Sequence, residues 1–280
     1  MARATYSIAG VDLLARQMGA AGTSCLGGQD VAVIYKSAPG IGVVLGQAQY
    51  NASGHQRALE LLAGGMAPDA VLAAVTAPEF DALASVRQYA IVTASGSREA
   101  FTGSDTGQWS GDTSIGGDGR LLSIQGNLLT SAHVVNDAAL SFANRACDLA
   151  EQLVMALEAG AQHGEGDRRC TPALPSDSAF VFVDSIETGE RLVDLRVPSS
   201  GTENPLIALR AQLTEHHRSH PCVPQALPGR GLVRADSSGC RFGRGSAGSG
   251  AAGWAVLALA LTARRRRSAT LRRSWRSTTS

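Results

Sequence analysis

At 280 residues the chain has room for one ordinary domain with an appendage, or for two small ones. A net charge of +1 leaves no overall electrostatic footprint for nucleic acid. Hydrophobic residues reach 44% but aromatics only 5%, so the core is expected to be built from Ala, Val, Leu and Ile. Five cysteines occur (Cys25, Cys147, Cys170, Cys222 and Cys240). None has the short paired spacing of a zinc site, so no metal is expected. In an oxidising compartment four of them could form two disulfides, and spacing alone does not assign the pairs.

Ala2-Arg3-Ala4, just ahead of Thr5, has the A-x-A form that signal peptidase cuts. An upstream start would supply the missing apolar region, and cleavage after Ala4 would make Thr5 the first residue. Thr5 to Ala9 and Ala20 to Cys25 are short strand candidates rich in small residues. Asp30 to Lys36 (DVAVIYK) alternates apolar and polar positions, and Ile41 to Ala48 is an apolar run, so both are predicted as strands. Gly54 to Ala63 has helical spacing and stops at Gly64-Gly65. A second short helix follows with Pro68 in its first turn.

Strands are predicted at Arg87 to Thr93, Glu99 to Thr102 and Leu121 to Gln125, the first two joined by a turn at Ser95-Gly96-Ser97. Residues 103–112 (GSDTGQWSGD) read as a loop carrying Asp105, Trp109 and Asp112. Helices are expected from Ser131 to Phe142 and from Leu149 to Gly160. A strand pair spans Ser178 to Asp184 and Arg191 to Val197. The last helix has Asn204 as N-cap, Pro205 at its first position, and Leu206, Leu209 and Leu213 facing inward. Segregated blocks of strands and helices argue for an α+β fold with stacked sheets.

Residues 221–250 are rich in Pro, Gly, Ser and Arg and read as a linker. Beyond them, Ala251 to Ala263 is apolar, and seven Arg with no acid fall between Arg264 and Arg276. The apolar run is too short for an ordinary span of about 20 residues, but suits transient membrane contact. Gly239-Cys240, a small-residue spacer, the apolar run and the Arg cluster together resemble the myxobacterial sorting tag MYXO-CTERM. That resemblance makes Cys240 the processing or anchoring point and the protein exported. The tag normally stops at the Arg cluster, whereas this chain continues to Ser280.

No G-x-S-x-G elbow, Walker loop or G-x-G-x-x-G after a strand is present. His216, His217 and His220 (HHRSH) read as a solvated helix end, where cations suit the dipole. What remains is polar clusters at the ends of apolar strands: Gln47 and Asn51, then Gln125, Gly126 and Asn127, then Asp167, Arg168 and Arg169. Such residues line sites and turns alike.

Thr5-Tyr6-Ser7-Ile8, Gly46-Gln47-Ala48 with Asn51, Ala100-Phe101-Thr102-Gly103, Ser123 to Leu129 (SIQGNLL) and Gly166-Asp167-Arg168-Arg169 occur in this order. Together they resemble the domain of unknown function 1028 family, an N-terminal-nucleophile (Ntn) hydrolase-like group, over roughly Thr5 to His220. The resemblance implies an α+β fold, a four-layer αββα sandwich, with residues 5–220 as the domain and 1–4 as a residual leader. It implies Thr5 as nucleophile, with its own α-amine as base. Asn127 then becomes the oxyanion donor, and Gln47, Asn51, Gln125, Asp167 and Arg169 candidates for substrate binding. The subset with Gly-Thr-Ser-Cys and Gly-Asp-Arg-Arg-Cys makes Cys25 and Cys170 the preferred disulfide pair. The implied partner is a small-molecule or peptide-like amide substrate, with no cofactor. A non-catalytic surface binding module on the same scaffold, or a homo-oligomeric surface component, are the rival readings.

Overall fold

The computed structural model describes residues 5–25, 27–162, 166, 170, 174, 176–199 and 203–222. Two antiparallel sheets form its centre. The first has six strands in the order β10-β9-β2-β1-β8-β7. These are β1 (Thr5–Asp12), β2 (Gln17–Ser24), β7 (Gly111–Gly117), β8 (Arg120–Asn127), β9 (Ser178–Ser185) and β10 (Arg191–Val197). The second has four in the order β3-β4-β5-β6: β3 (Tyr35–Ala38), β4 (Gly42–Ala48), β5 (Arg87–Thr93) and β6 (Arg98–Thr102).

Strand alternation divides the apolar residues into three layers of core. On β1, Tyr6 and Ile8 face outward, against α3 (His133–Leu140), α4 (Leu149–Gly160) and the cluster that includes α5 (Pro205–Ser219). Ala9 and Val11 face the other way and meet Val43, Leu45, Ala90 and Val92 of the second sheet. On the far side of that sheet, Val44, Tyr89 and Ile91 pack on α1 (Ala52–Ala63) and α2 (Pro68–Val75). The result is an αββα sandwich. The Tyr6 hydroxyl donates to the Leu157 carbonyl at 2.8 Å, which ties α4 to the central strand.

Local chemistry sets the element ends. Asn51, Asp148 and Asn204 accept from the backbone N–H of Gly54, Glu151 and Leu206 and start α1, α4 and α5. Gly96, at φ +88°, makes the turn between β5 and β6, a conformation that costs a glycine little.

Two sequence expectations change. Asp30 to Lys36 is not one strand: Val31–Ile34 is a 3-10 turn and β3 begins at Tyr35. The Asp30 carboxylate accepts from Ala32 N–H at 2.8 Å, a local bond that competes with sheet pairing, while Val31 and Ile34 are both buried. The second half of the region around Asp112 is strand β7, a half-exposed edge that lacks a continuous apolar run. Asp118 and Gly119, at φ +51° and +80°, form its two-residue turn into β8.

Two disulfides are present among the described residues. Cys25, which follows β2, is bonded to Cys170, and Cys147, which precedes α4, to Cys222 after α5. No helix of the described residues is long and apolar enough to cross a membrane. Residues 1–4, all but the first two residues of the expected linker, and the sorting-tag segment with Cys240 lie outside the described residues.

Candidate functional site

At one end of the space between the sheets the facing side chains turn from apolar to polar. Thr5 and Ser7 begin the inward face of β1, with Ser24 directly opposite Thr5 on β2 and Asn127 opposite it on β8. Gln125 pairs with Ser7, and Gln47 on β4 pairs with Gln88 on β5. All seven are buried; Thr5 is 3% exposed. Buried polar groups of this kind are expected to pair within the protein, and most of these do.

Gln47 is the hub of that pairing. Its Nε2 lies 3.1 Å from the Thr5 carbonyl, 2.8 Å from Gln88 Oε1 and 3.3 Å from Asn127 Oδ1. Its Oε1 accepts from Ser7 Oγ at 2.5 Å. Thr5 Oγ1 and Ser24 Oγ are 2.8 Å apart. Gln88 Nε2 continues the network to the Gly126 carbonyl and to Thr102 Oγ1, both at 2.9 Å, and Thr102 donates to Asp112 Oδ2 at 2.5 Å. Gln125 Nε2 is 3.4 Å from Ser7 Oγ, and its Oε1 is buried without a hydrogen-bond partner. Apart from the Asp112 carboxylate at its outer end, the network joins both sheets through amides and hydroxyls.

Removing the hub leaves several of these groups unpaired in the interior. Gln47→Leu is expected to destabilise the fold by about 1–3 kcal/mol. Urea unfolding of the variant against the parent protein checks this.

The backbone is unusual at the same place. Ala48 and Leu128, the residues that follow Gln47 and Asn127, have φ of +69° and +53°. Left-handed conformations cost non-glycine residues roughly 1–2 kcal/mol.

Asn51 stands apart from this network. Its Oδ1 caps α1, and its Nδ2 donates to Asp81 Oδ2 at 2.8 Å. Asp81 also holds Arg87 through two nitrogens, at 2.8 and 3.3 Å. The Arg87 hydrogen bond holds the Asp81 carboxyl down at about 2, helped by Asn51 and the Leu83 N–H against the opposing effect of burial. Arg87 reaches the Gln49 carbonyl at 2.7 Å, so this cluster secures the β4–α1 connection. Asp167 and Arg169 lie outside the described residues. Of the histidine cluster, His217 Nε2 is 2.9 Å from Asp148 Oδ2, remote in sequence from the Thr5 network.

Ser7, Ser24 and Gln88 join the cluster without being candidates on sequence grounds. Their signal is present: polar residues at alternate positions on strands that are otherwise apolar. Asp112, beyond Thr102, also lines a cleft of about 570 Å³ between edge strands β6 and β7. Ser97, Glu99, Ser114 and Ser123 share that lining.

The fold is an αββα sandwich with a buried polar cluster at one end of its inter-sheet layer. The family model described as "Family of unknown function (DUF1028)" matches residues 5–209, and the chain belongs to that family. It is similar to the crystal structure of protein SPO2555 from Silicibacter pomeroyi, a DUF1028 protein, with 22% identity and a TM-score of 0.63. That match covers 76% of this chain and 89% of the other. Anbu (ancestral beta-subunit) from Yersinia bercovieri overlaps with a TM-score of 0.35 at 11% identity, over 79% of this chain and 99% of that one. An Anbu (Gly-1) mutant from a Hyphomicrobium strain gives 0.36 and 12%, over 77% and 96%. No curated protein matches the chain.

Proposed function

We propose that the protein is an exported hydrolase of amide bonds in which Thr5, as the first residue of the mature chain, is the nucleophile. The observation that carries this reading is the place of Thr5. It opens a central strand, paired on both sides, and its hydroxyl faces the polar end of the inter-sheet layer, 2.8 Å from Ser24 Oγ.

A threonine hydroxyl is a weak nucleophile and needs a base. The described partners around Thr5 are amides and hydroxyls, so the base in this reading is the free α-amine, whose ordinary pKa is about 7.7–8.0. The amine takes the hydroxyl proton as Oγ1 attacks the substrate carbonyl. The ammonium then returns that proton to the leaving nitrogen as the C–N bond breaks. Water, activated by the same amine, hydrolyses the ester left on Thr5. Asn127 and nearby backbone N–H groups serve the oxyanion, with the Gln47 contact orienting the Asn127 amide. Gln47 and Gln125 shape the floor, and Asp167 with Arg169 binds substrate. The two disulfides support an oxidising destination.

The test begins with the mature protein. N-terminal mapping of native secreted material should find Thr5 first, and material beginning at Met1 or Ala2 would refute the assignment. A hydroxyl-directed electrophile should then label trimmed protein stoichiometrically at Thr5, and Thr5→Ala should abolish labelling and turnover. A second reading, a binding module on the same scaffold, draws on the near-complete burial of Thr5. An inert Thr5 in trimmed protein, together with ligand-induced stabilisation, is its expected outcome.

A further inference from the structure

The space between the sheets opens sideways as well as at its Thr5 end. Edge strands β6 and β7 flank a cleft of about 570 Å³, within the size range of small-ligand sites. Each strand is paired on one side only, β6 with β5 and β7 with β8. Backbone donors and acceptors therefore line both rims. Ser123, on the cleft floor, is opposite Ala9 of β1, four residues along from Thr5. At about 3.3 Å per residue, that is roughly 13 Å from the level of Thr5.

Alternation on the strands decides which side chains face the cleft. Ala100 packs on the inter-sheet core, and Arg98 and Thr102 share its face of β6. Phe101 packs on the helix side, so Glu99, although beside the cleft, is turned away with it. On β7, Ile115 packs on the outer helical layer, whereas Asp112 and Ser114 share the opposite, exposed face. The layer-facing charges of the lining are thus one cation, Arg98, and one anion, Asp112. Arg98 is half-buried, and its guanidinium makes no hydrogen bond or ion pair with the described residues. Asp112 Oδ2 accepts from Thr102 Oγ1 at 2.5 Å, which leaves Oδ1 open to a donor. Thr102 lies four residues beyond Arg98 on β6. The two charges therefore stand at opposite ends of the cleft, roughly 13 Å apart along the strand.

We infer that this cleft binds a short extended peptide with free termini, about four small residues long. Its carboxylate pairs with Arg98 and its ammonium with Asp112. An extended tetrapeptide spans about 13 Å, which matches the separation of the two charges. Its backbone amides meet the rims of β6 and β7, as in strand addition, with the Ser114 hydroxyl beside them. Small side chains are required because Gly96, Ala100 and Ser114 form no apolar recess along this lining. The inference goes beyond the Thr5 reading and stands without it.

Equilibrium dialysis of the full chain against radiolabelled tetra-alanine tests this. With Met1 to Ala4 in place Thr5 has no free amine, so binding is measured apart from any turnover. A failure here leaves the Thr5 reading untouched. One saturable site of millimolar affinity or tighter is expected. Tetra-alanine acetylated at its N-terminus and amidated at its C-terminus lacks both charges. It should bind at least about tenfold more weakly, the loss expected for charge-assisted bonds. In Arg98→Gln the free peptide should bind about tenfold more weakly, and amidating its carboxylate should then cost nothing more. Asp112→Asn should likewise erase the effect of N-acetylation. Both variants should keep the circular dichroism spectrum of the parent. No saturable binding, equal affinity for free and blocked peptides, or unchanged binding by folded R98Q would overturn the proposal.

Discussion

Asp12→Ala is expected to cost about 3–5 kcal/mol, because it strands the charge of a fully buried arginine. Arg120 and Asp12 are both 0% exposed and meet at 2.5 Å. The same carboxylate also orders the chain as it leaves β1, by accepting from Leu14 and Ala15 N–H at 3.0 and 2.9 Å. Truncation therefore removes the counter-charge and the turn contact together. Asp12→Asn keeps an acceptor for these donors and is expected to cost less. The double change Asp12→Leu with Arg120→Met should fall well short of the single one, since replacing a buried pair by apolar residues is often neutral. Urea midpoints measure all three. If D12A shifted stability by less than about 1 kcal/mol, the pair would not be the buried contact described.

Acidification from pH 6.5 to 4 should remove about 3 kcal/mol of stability through His55. His55, on α1, is 0% exposed and faces β4. Its Nε2 lies 2.9 Å from the Val44 carbonyl and so carries the ring proton, while Nδ1, 3.2 Å from the Tyr50 hydroxyl, accepts. Gly46 faces the ring, where an added Cβ would sit 3.2 Å from His55 Cγ, so the imidazole is packed closely. Burial, with a smaller push from Lys36 and against the Val44 hydrogen bond, lowers the pKa from 6.5 to about 4.

The sign follows from which state takes up the proton. Above pH 6.5 both states are neutral at this residue, and its contribution is full and constant. Between 6.5 and 4 the unfolded chain binds a proton that the folded one refuses, and stability falls by about 1.4 kcal/mol per pH unit. Asp81, held at about 2 from an ordinary 3.8, acts in the same direction but in a lower window. His55→Gln should flatten the dependence of the urea midpoint on pH between 4 and 6.5. Equal slopes in variant and parent would show that His55 titrates normally.

Much of the fold was legible because its signals are local. Asn204-Pro205 and the Leu206, Leu209 and Leu213 stripe marked the start and buried face of α5, and all three leucines are buried. The alternation and flanking turns of Arg87 to Thr93 and Arg191 to Val197 match β5 and β10 residue for residue. Strand β7 escaped notice because an edge strand need not be apolar, and Val31–Ile34 because a cap can override alternation.

The candidate site was legible only in part. Gln47, Gln125 and Asn127 stood out as polar residues at strand ends, and the structure places them with Thr5. Gln88 did not, since only sheet pairing brings it to Gln47 across 41 residues of sequence. Asn51 carries the same chemistry as its neighbours, but its two side-chain atoms cap a helix and anchor Asp81. The Asp12–Arg120 pair, 108 residues apart, has no local signature at all.

The position of Thr5 also governs how the protein should be made. Because β1 starts at Thr5 and is hydrogen-bonded on both sides from that residue onward, the candidate amine cannot be supplied from another point in the chain. An affinity tag fused ahead of Thr5 turns that amine into an ordinary peptide nitrogen, whatever the purity of the preparation. Production should therefore use a cleavable leader ending at residue 4, with any purification handle placed at the opposite terminus. Libraries of amide substrates screened on a tagged N-terminus would return silence that says nothing about the proposed activity.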